Sequence, residues 1–119
     1  MATTKQHLIV AGSLGLIGYS FYCESTGRAF SFAEAAASVG IAALGGIAPD
    51  LFEPALHPNH RGVCHGVLAG GVLARSSLAS WNDGSLPQWF RVIAALFAVG
   101  YISHLTLDAC TPKGLPLVC

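Results

Sequence analysis

The chain has 119 residues, the size of one domain, so any functional site must be built from the elements of a single core. Hydrophobic residues make up 53% of the sequence and charged residues 10%, against about 25% charged residues in a typical soluble domain. Six basic residues balance six acidic ones and do not cluster, which excludes the basic surface of a duplex nucleic-acid-binding protein. The composition favours a membrane-inserted or tightly membrane-associated protein over a compact, very apolar soluble bundle.

The amino-terminal segment and the cysteines point to a protein that is neither exported nor cross-linked. "MATTKQH" contains one lysine and leads into an apolar run with no small-residue cleavage motif behind it, so we expect no cleaved signal peptide. The cysteines form no Cys-x-x-Cys pair, which argues against a thiolate zinc site or a disulfide framework. We therefore expect reduced thiols at Cys23, Cys64, Cys110 and Cys119.

Four apolar stretches predict four helices, separated by segments rich in Gly, Pro, Asn, Asp or Ser. They run from Leu8 to Tyr22, from Phe30 to Ala48, from Val63 to about Ser80 and from Trp89 to about Ala109. No alternating polar and apolar stretch is long enough to predict a sheet. Because short connections favour antiparallel neighbours, we expect one all-α domain over residues 1–119, a compact four-helix bundle with up-down-up-down topology.

None of these stretches is a clean membrane span by itself. A spanning helix needs about 20 apolar residues, whereas the first stretch has 15 and the second, third and fourth contain Glu34, Arg75 and Arg91. Several glycines nevertheless lie at helical spacings that let membrane helices approach closely, although a glycine-rich sequence also produces such spacings by chance. These glycines are Gly12, Gly15, Gly18, Gly66, Gly70 and Gly71.

The predicted topology gathers the polar side chains at one end of the bundle. His7 begins the first helix, Asp50 and Glu53 follow the second, His60, Arg61 and His65 begin the third, and His104 and Asp108 end the fourth. The turns at the opposite end contain no histidine. His57 lies in the loop between the second and third helices. We expect a site at this end because the topology alone brings these side chains together.

The residue types in this group match a divalent metal site. His104 and Asp108 are four residues apart and therefore project from one helix face. Imidazole and carboxylate ligands suit Zn²⁺ or, less specifically, Mn²⁺ or Fe²⁺, and a cation offsets the several kcal/mol that unpaired buried charges cost. Simpler interpretations also exist: an ion pair between His104 and Asp108, a surface position for His7, and a turn role for Asp50.

Further alternatives concern the loop between the second and third helices. Glu53 is either a solvent-facing acid or part of the site, and Arg61 either pairs with Asp50 or binds a ligand. We interpret His57 as a loop residue and Cys64 as a small buried thiol rather than a nucleophile.

Three segments resemble the YdjM-like family of membrane-bound, metal-dependent hydrolases, bacterial proteins also described as LexA-regulated. They are "GGIAPDLFEP", "HPNHRGVCHG" and "GYISHLTLDACTPKGLPLV", preceded by an early histidine at the start of an apolar helix. The resemblance covers about residues 7 to 118, and its most specific parts are residues 60–65 and 104–114. It implies a location in the bacterial inner (cytoplasmic) membrane, either integral or tightly associated.

That family looks distantly similar to the superfamily of zinc-dependent phospholipase C and single-strand nucleases, all-helical enzymes with ligands in the order His, Asp, His, His-x-x-x-Asp. The similarity implies one or two zinc ions, and the matching residues here are His7, Asp50, His65, His104 and Asp108. Two positions depart from the family pattern. Family members often have a second aspartate soon after the Pro-Asp pair, whereas here Phe52 intervenes and Glu53 is the nearest acid. The family's Thr-His-Ser triplet is replaced here by Cys64-His65-Gly66.

The resemblance implies hydrolysis of a phosphoester, possibly lipid-linked, by a metal-activated water. In that interpretation Asp50 or Glu53 accepts the proton, and Arg61 binds the phosphate oxygens. His60 either protonates the leaving group or orients His65. The rival hypothesis is a small membrane protein with an interaction or sensing role. In it a structural metal ion, coordinated only by protein ligands, links the helices. Cleavage of nucleic acid is disfavoured because there is no basic groove.

Overall fold

The computed structural model describes residues 3–52 and 66–110, which form four helices and contain no strand. The helices are α1 (Thr4–Thr26), α2 (Phe32–Phe52), α3 (Val67–Trp81) and α4 (Gln88–Ala109). The start of α1 lies beside the end of α4, where His7 contacts Asp108, and the end of α1 lies beside the start of α4, where Tyr22 contacts Gln88. The predicted all-α bundle with antiparallel neighbours is confirmed.

Three of the helices form the centre of the bundle and the fourth lies at its side. α1 packs against α2 and α4, and α2 also packs against α4, whereas α3 packs mainly against α4. Near its start α3 places Gly70 against Leu105 of α4, and its last residue, Trp81, contacts the ring of Tyr22. This arrangement leaves an open groove between α1 and α3, with α4 as its floor.

α1 is eight residues longer than the apolar run that predicted it, because polar residues cap both of its ends. The Gln6 N–H donates to Thr3 Oγ1 over 3.2 Å and the Thr3 N–H donates to Gln6 Oε1 over 2.8 Å, which is a capping box. At the other end Gly27 adopts φ +70°, and its N–H and that of Arg28 donate to the Cys23 carbonyl. Glycine tolerates this left-handed conformation.

The predicted end of the second helix at Ala48 was wrong, because α2 continues through Pro49 to Phe52. Proline removes one backbone donor and costs about 3 kcal/mol in a helix interior, which is why the sequence indicated a boundary there. Pro49 is fully buried, and its packing offsets that cost. As a consequence Asp50 lies in the last turn of α2 rather than in a loop beyond it.

The sequence predicted no clean membrane span, but three of the described helices are long enough for one because they extend beyond their apolar runs. α1, α2 and α4 have 23, 21 and 22 residues, and each is long and apolar enough to cross a bilayer. At 1.5 Å per residue they measure about 32–35 Å, against a hydrocarbon core of about 30 Å. α3 has 15 residues and measures about 22 Å.

Glycines allow α2 to contact both of its neighbours almost backbone to backbone. A Cβ added to Gly45 would overlap the Phe97 carbonyl, and one added to Gly100 would overlap the Ala42 carbonyl. On the other side, a Cβ on Gly15 would lie 2.6 Å from the Ala42 Cβ. Small residues at helix contacts are typical of membrane bundles.

The sequence identified only some of these close contacts. Gly12 and Gly15 face α2, and Gly70 faces α4, as predicted, whereas a Cβ added to Gly18 would lie 4.0 Å from the nearest atom and one added to Gly71 would meet open space. The tightest contacts with backbone or Cβ atoms fall at Gly45, Gly46 and Gly100, which the glycine spacing did not single out.

A polar cluster closes the α1–α2 hairpin at the end opposite His7. The Tyr19 hydroxyl accepts from the Ser31 N–H over 3.0 Å and donates to Glu34 over 2.8 Å. The Arg28 guanidinium pairs with the same carboxylate, and this partner raises the pKa of Arg28. Ser31 also caps α2, since its hydroxyl accepts from the Glu34 N–H over 3.3 Å. The cluster fixes how α1 and α2 are joined.

We expect Gly100→Ala to destabilise the protein by about 1–3 kcal/mol, because the new Cβ would push α4 away from α2. Gly40→Ala is the matched control. Gly40 lies within α2 and a Cβ there meets nothing within 4 Å, so the higher helix propensity of alanine should stabilise by up to about 1 kcal/mol. Thermal loss of the helical circular-dichroism signal in detergent measures both variants. Equal midpoints for the two would contradict this account of the α2–α4 contact.

Candidate metal centre

Four ionisable side chains from three helices meet where α1 begins and α2 and α4 end. His7 comes from α1, Asp50 from α2, and His104 and Asp108 from α4. The side chains of His7, His104 and Asp108 are fully buried, whereas that of Asp50 is 26% exposed. Three of the four side chains are therefore completely shielded from water, and Asp50 connects the group to the surface.

The side chains approach one another without reaching ordinary hydrogen-bond lengths. Asp108 faces the Nε2 atoms of both imidazoles, with Oδ1 3.4 Å from His7 Nε2 and Oδ2 3.3 Å from His104 Nε2. Asp50 Oδ1 is 3.7 Å from His104 Nε2. Nitrogen–oxygen hydrogen bonds usually measure about 2.7–3.2 Å. The carboxylate oxygens and imidazole nitrogens thus point toward a common space.

A backbone carbonyl fixes the orientation of the His104 ring. His104 Nδ1 lies 2.7 Å from the Gly46 carbonyl oxygen, one turn before Asp50 on α2. A carbonyl oxygen only accepts, so Nδ1 carries the hydrogen. In the neutral ring Nε2 then holds the lone pair, directed at the two carboxylates. Metal-binding histidines are commonly held this way by their other ring nitrogen.

The two imidazoles stack on each other. The rings of His7 and His104 are 3.7 Å apart between centroids and inclined by 15°. Neither ring nitrogen of His7 has a hydrogen-bond partner among the described residues. Two positively charged rings at this separation would repel each other, and an unsatisfied buried imidazole costs about 1–3 kcal/mol. A ligand that accepts the His7 lone pair would remove that cost.

The ligand types and spacing of the group fit a divalent cation. Ligand atoms of His7, Asp50 and His104 all lie within 4.8 Å of one another. Asp108 places a different oxygen near each imidazole, 3.4 Å from His7 Nε2 and 3.3 Å from His104 Nε2. Imidazole nitrogens and carboxylate oxygens are ligands that zinc takes in proteins, and neighbouring ligand atoms of a tetrahedral zinc site are about 3.3–3.6 Å apart.

The remaining predicted site residues fall in residues 53–65, outside the described residues. They are Glu53, His60, Arg61 and His65, together with the loop residues His57 and Cys64. The roles predicted for them therefore stay predictions. Of the predicted metal ligands, the structure brings together His7, Asp50, His104 and Asp108 and leaves only His65 undescribed.

Sequence reasoning missed the Gly46 carbonyl, which orients His104. A backbone group leaves no mark in composition or periodicity. The one available signal is the pair Gly45-Gly46 one turn before Pro49 and Asp50, since glycines there allow α4 to come close enough for the contact.

Comparison with known proteins supplies the decisive observation about membrane location. A family model described as YdjM inner membrane protein matches residues 1–119, the whole chain. The chain belongs to the YdjM inner membrane protein family. With three helices long enough to span a bilayer, this YdjM family member is a protein of the inner membrane. No curated protein and no solved structure gives a significant match.

For this YdjM family member we expect His104 to carry a hydrogen on Nδ1, because the Gly46 carbonyl oxygen 2.7 Å away can only accept. Long-range ¹H–¹⁵N NMR of the histidine-labelled protein in detergent detects that hydrogen, and His104→Gln identifies the signal by its loss. A ring without a hydrogen on Nδ1 would contradict the described contact.

Proposed function

We propose that this protein is a metal-dependent hydrolase of the inner membrane that acts on phosphoesters, including lipid-linked ones. The observation that carries the proposal is the meeting of two imidazoles and two carboxylates from three apolar helices, with ligand atoms of His7, Asp50 and His104 within 4.8 Å of one another and Asp108 beside both imidazoles. Burying such a group among membrane-spanning helices is costly. The resemblance of the three sequence segments to metal-dependent hydrolases supports the same function.

Each group of the cluster would have its own role in the proposed reaction. Asp108 bridges His7 and His104, so it holds both imidazoles in place, while the Gly46 carbonyl sets the direction of the His104 lone pair. A bound zinc ion would lower the pKa of a coordinated water from 15.7 toward about 7 and polarise a phosphoryl oxygen. Asp50 is the member that reaches the surface, so we assign the access of water to its side of the cluster.

The residues of the adjoining segment would complete the reaction in the roles that the family resemblance implies. His65 would add a further metal ligand, and Arg61 would bind the phosphate oxygens. His60 would protonate the leaving group or orient His65. Glu53 is the better candidate for the proton acceptor, because a carboxylate that binds a metal tightly, as Asp50 would, is a weaker base.

The alternative is a structural ion that ties α1, α2 and α4 together, in a protein with an interaction or sensing role. The complete burial of His7, His104 and Asp108 favours it, since structural sites are closed by protein ligands. The partial exposure of Asp50 favours the catalytic alternative, because a catalytic site keeps one position open to water.

We expect the purified protein to contain zinc in stoichiometric amount and Asp108→Asn to lose it, because the amide replaces a bridging carboxylate with a neutral group. Asp83→Asn is the matched control. Asp83 lies in the α3–α4 turn, where its carboxylate accepts from the Ser85 hydroxyl and N–H, which lowers its pKa. Elemental analysis of both variants in detergent measures the metal. A folded wild type that contains no zinc, manganese or iron would refute the metal site.

We expect wild-type protein to hydrolyse generic phosphomonoesters or phosphodiesters, and His104→Ala to lower kcat/KM by at least about 100-fold, a larger loss than is usual for a residue that only supports a ligand. Asp83→Asn should keep full activity. Zinc binding without turnover on any phosphoester, in a protein whose thermal stability falls when zinc is chelated, would favour the structural ion instead.

A further inference from the structure

An apolar groove runs along the outside of α4 between α1 and α3. Its volume is about 650 Å³, within the range of about 300–1,000 Å³ that is usual for sites of small molecules. α1 contributes Val10 and Leu14 to one wall, α3 contributes Ala74 and Trp81 to the other, and α4 contributes Ala98 and Ile102 to the floor. The groove exists because α3 packs against α4 and leaves α1 largely uncovered on this side.

Apart from the Ser77 hydroxyl and the Trp81 indole N–H, the lining of the groove offers a ligand almost nothing to hydrogen-bond. None of the described residues that line it is charged. Two hydroxyls on its floor are engaged within their own helix, since Ser103 donates to the Gly100 carbonyl over 2.7 Å and Thr106 donates to the Ile102 carbonyl over 2.8 Å. The chemistry that such a surface recognises is therefore that of a hydrocarbon.

One end of the groove adjoins the candidate metal centre. On α1, Val10 lies one turn beyond His7, and on α4, Leu107 directly precedes Asp108. From Leu107 back to Ala95 the floor covers 13 residues of α4, about 18 Å at the helical rise. Both α1 and α4 are membrane-spanning helices, so the groove opens toward the hydrocarbon of the bilayer and ends beside the polar cluster.

We propose that this groove binds the hydrocarbon chain of a lipid whose phosphate lies at the cluster of His7, Asp50, His104 and Asp108. The position of the phosphate rests on the proposed function, whereas the binding of the chain rests on the groove alone. A lipid that enters sideways from the bilayer keeps its chain in an apolar environment throughout. The groove accommodates one long chain of a lipid that carries a phosphate, the substrate class of a lipid phosphoester hydrolase.

The test uses the full-length protein in detergent micelles and a phosphatidic acid with a photoactivatable diazirine in its acyl chain. Crosslinked peptides are identified by mass spectrometry. We expect labels on the groove faces of α1, α3 and α4 that natural phosphatidic acid displaces in a saturable manner. Labels confined to outward residues such as Ile17 and Phe21, which are 64% and 71% exposed, or labels that are not displaced, would overturn the proposal.

A pair of variants on α3 tests the position of the chain without disturbing the core. Ala74 lies exposed in the groove wall, whereas Ala79 is exposed on the same helix outside the groove. We expect Ala74→Trp to weaken saturable labelling by about tenfold, the loss expected when about two methylene groups no longer fit. Ala79→Trp should label like wild type. Equal labelling of the two variants would refute the groove as the chain site.

Hydrolysis is measured separately, so that the two proposals fail independently. With a water-soluble aryl phosphate, Ala74→Trp should retain wild-type kcat/KM, and with a long-chain phosphatidic acid its KM should rise by about tenfold. Saturable labelling of the groove without turnover would support the lipid site and refute the hydrolase activity. Turnover without labelling of the groove would support the hydrolase activity and refute the lipid site. Protein–protein crosslinks between copies across the groove would overturn the lipid site in favour of a dimer contact.

Discussion

The close contact between α2 and α4 is the constraint on which the site depends. Gly45 and Gly100 let each helix approach the backbone of the other, and the same proximity brings the Gly46 carbonyl within 2.7 Å of His104 Nδ1. A side chain at any of these positions would separate the helices and remove the acceptor that orients the imidazole. Packing and chemistry are therefore linked through the same few glycines, because small residues set the distance at which polar groups can meet.

Glycine contacts alone do not explain why a membrane protein retains buried acids and histidines. Asp108 and His7 lie fully buried beside helices that lipids surround, where ionisable groups are expensive and usually functional. At the opposite end of the bundle, Glu34 accepts hydrogen bonds from Tyr19 over 2.8 Å and from Arg28 Nε over 3.2 Å. The proposed metal site would account for the separations of 3.3 and 3.4 Å between Asp108 and the two imidazoles.

Much of the fold and of the site could be predicted because hydropathy fixes helices and short connections fix their directions. Those two facts alone place His7, Asp50, His104 and Asp108 at one end of the bundle. The ends of the helices were harder. The capping box of Thr3 and Gln6 starts α1 before its apolar run begins. Pro49 indicates a helix end, but its packing lets α2 continue past it. Periodicity also cannot tell which of 14 glycines faces a neighbour, because that depends on the rotation of each helix.

The short length of α3 has a consequence for the surrounding bilayer. Its 15 residues present about 22 Å of helix, against about 32–35 Å for the other three and a hydrocarbon core of about 30 Å. Among the described helices, α3 is therefore the one too short to cross that core. A short segment in a bundle is accommodated by local thinning of the bilayer, so we expect the bilayer to be thinnest beside α3 and the groove that it borders.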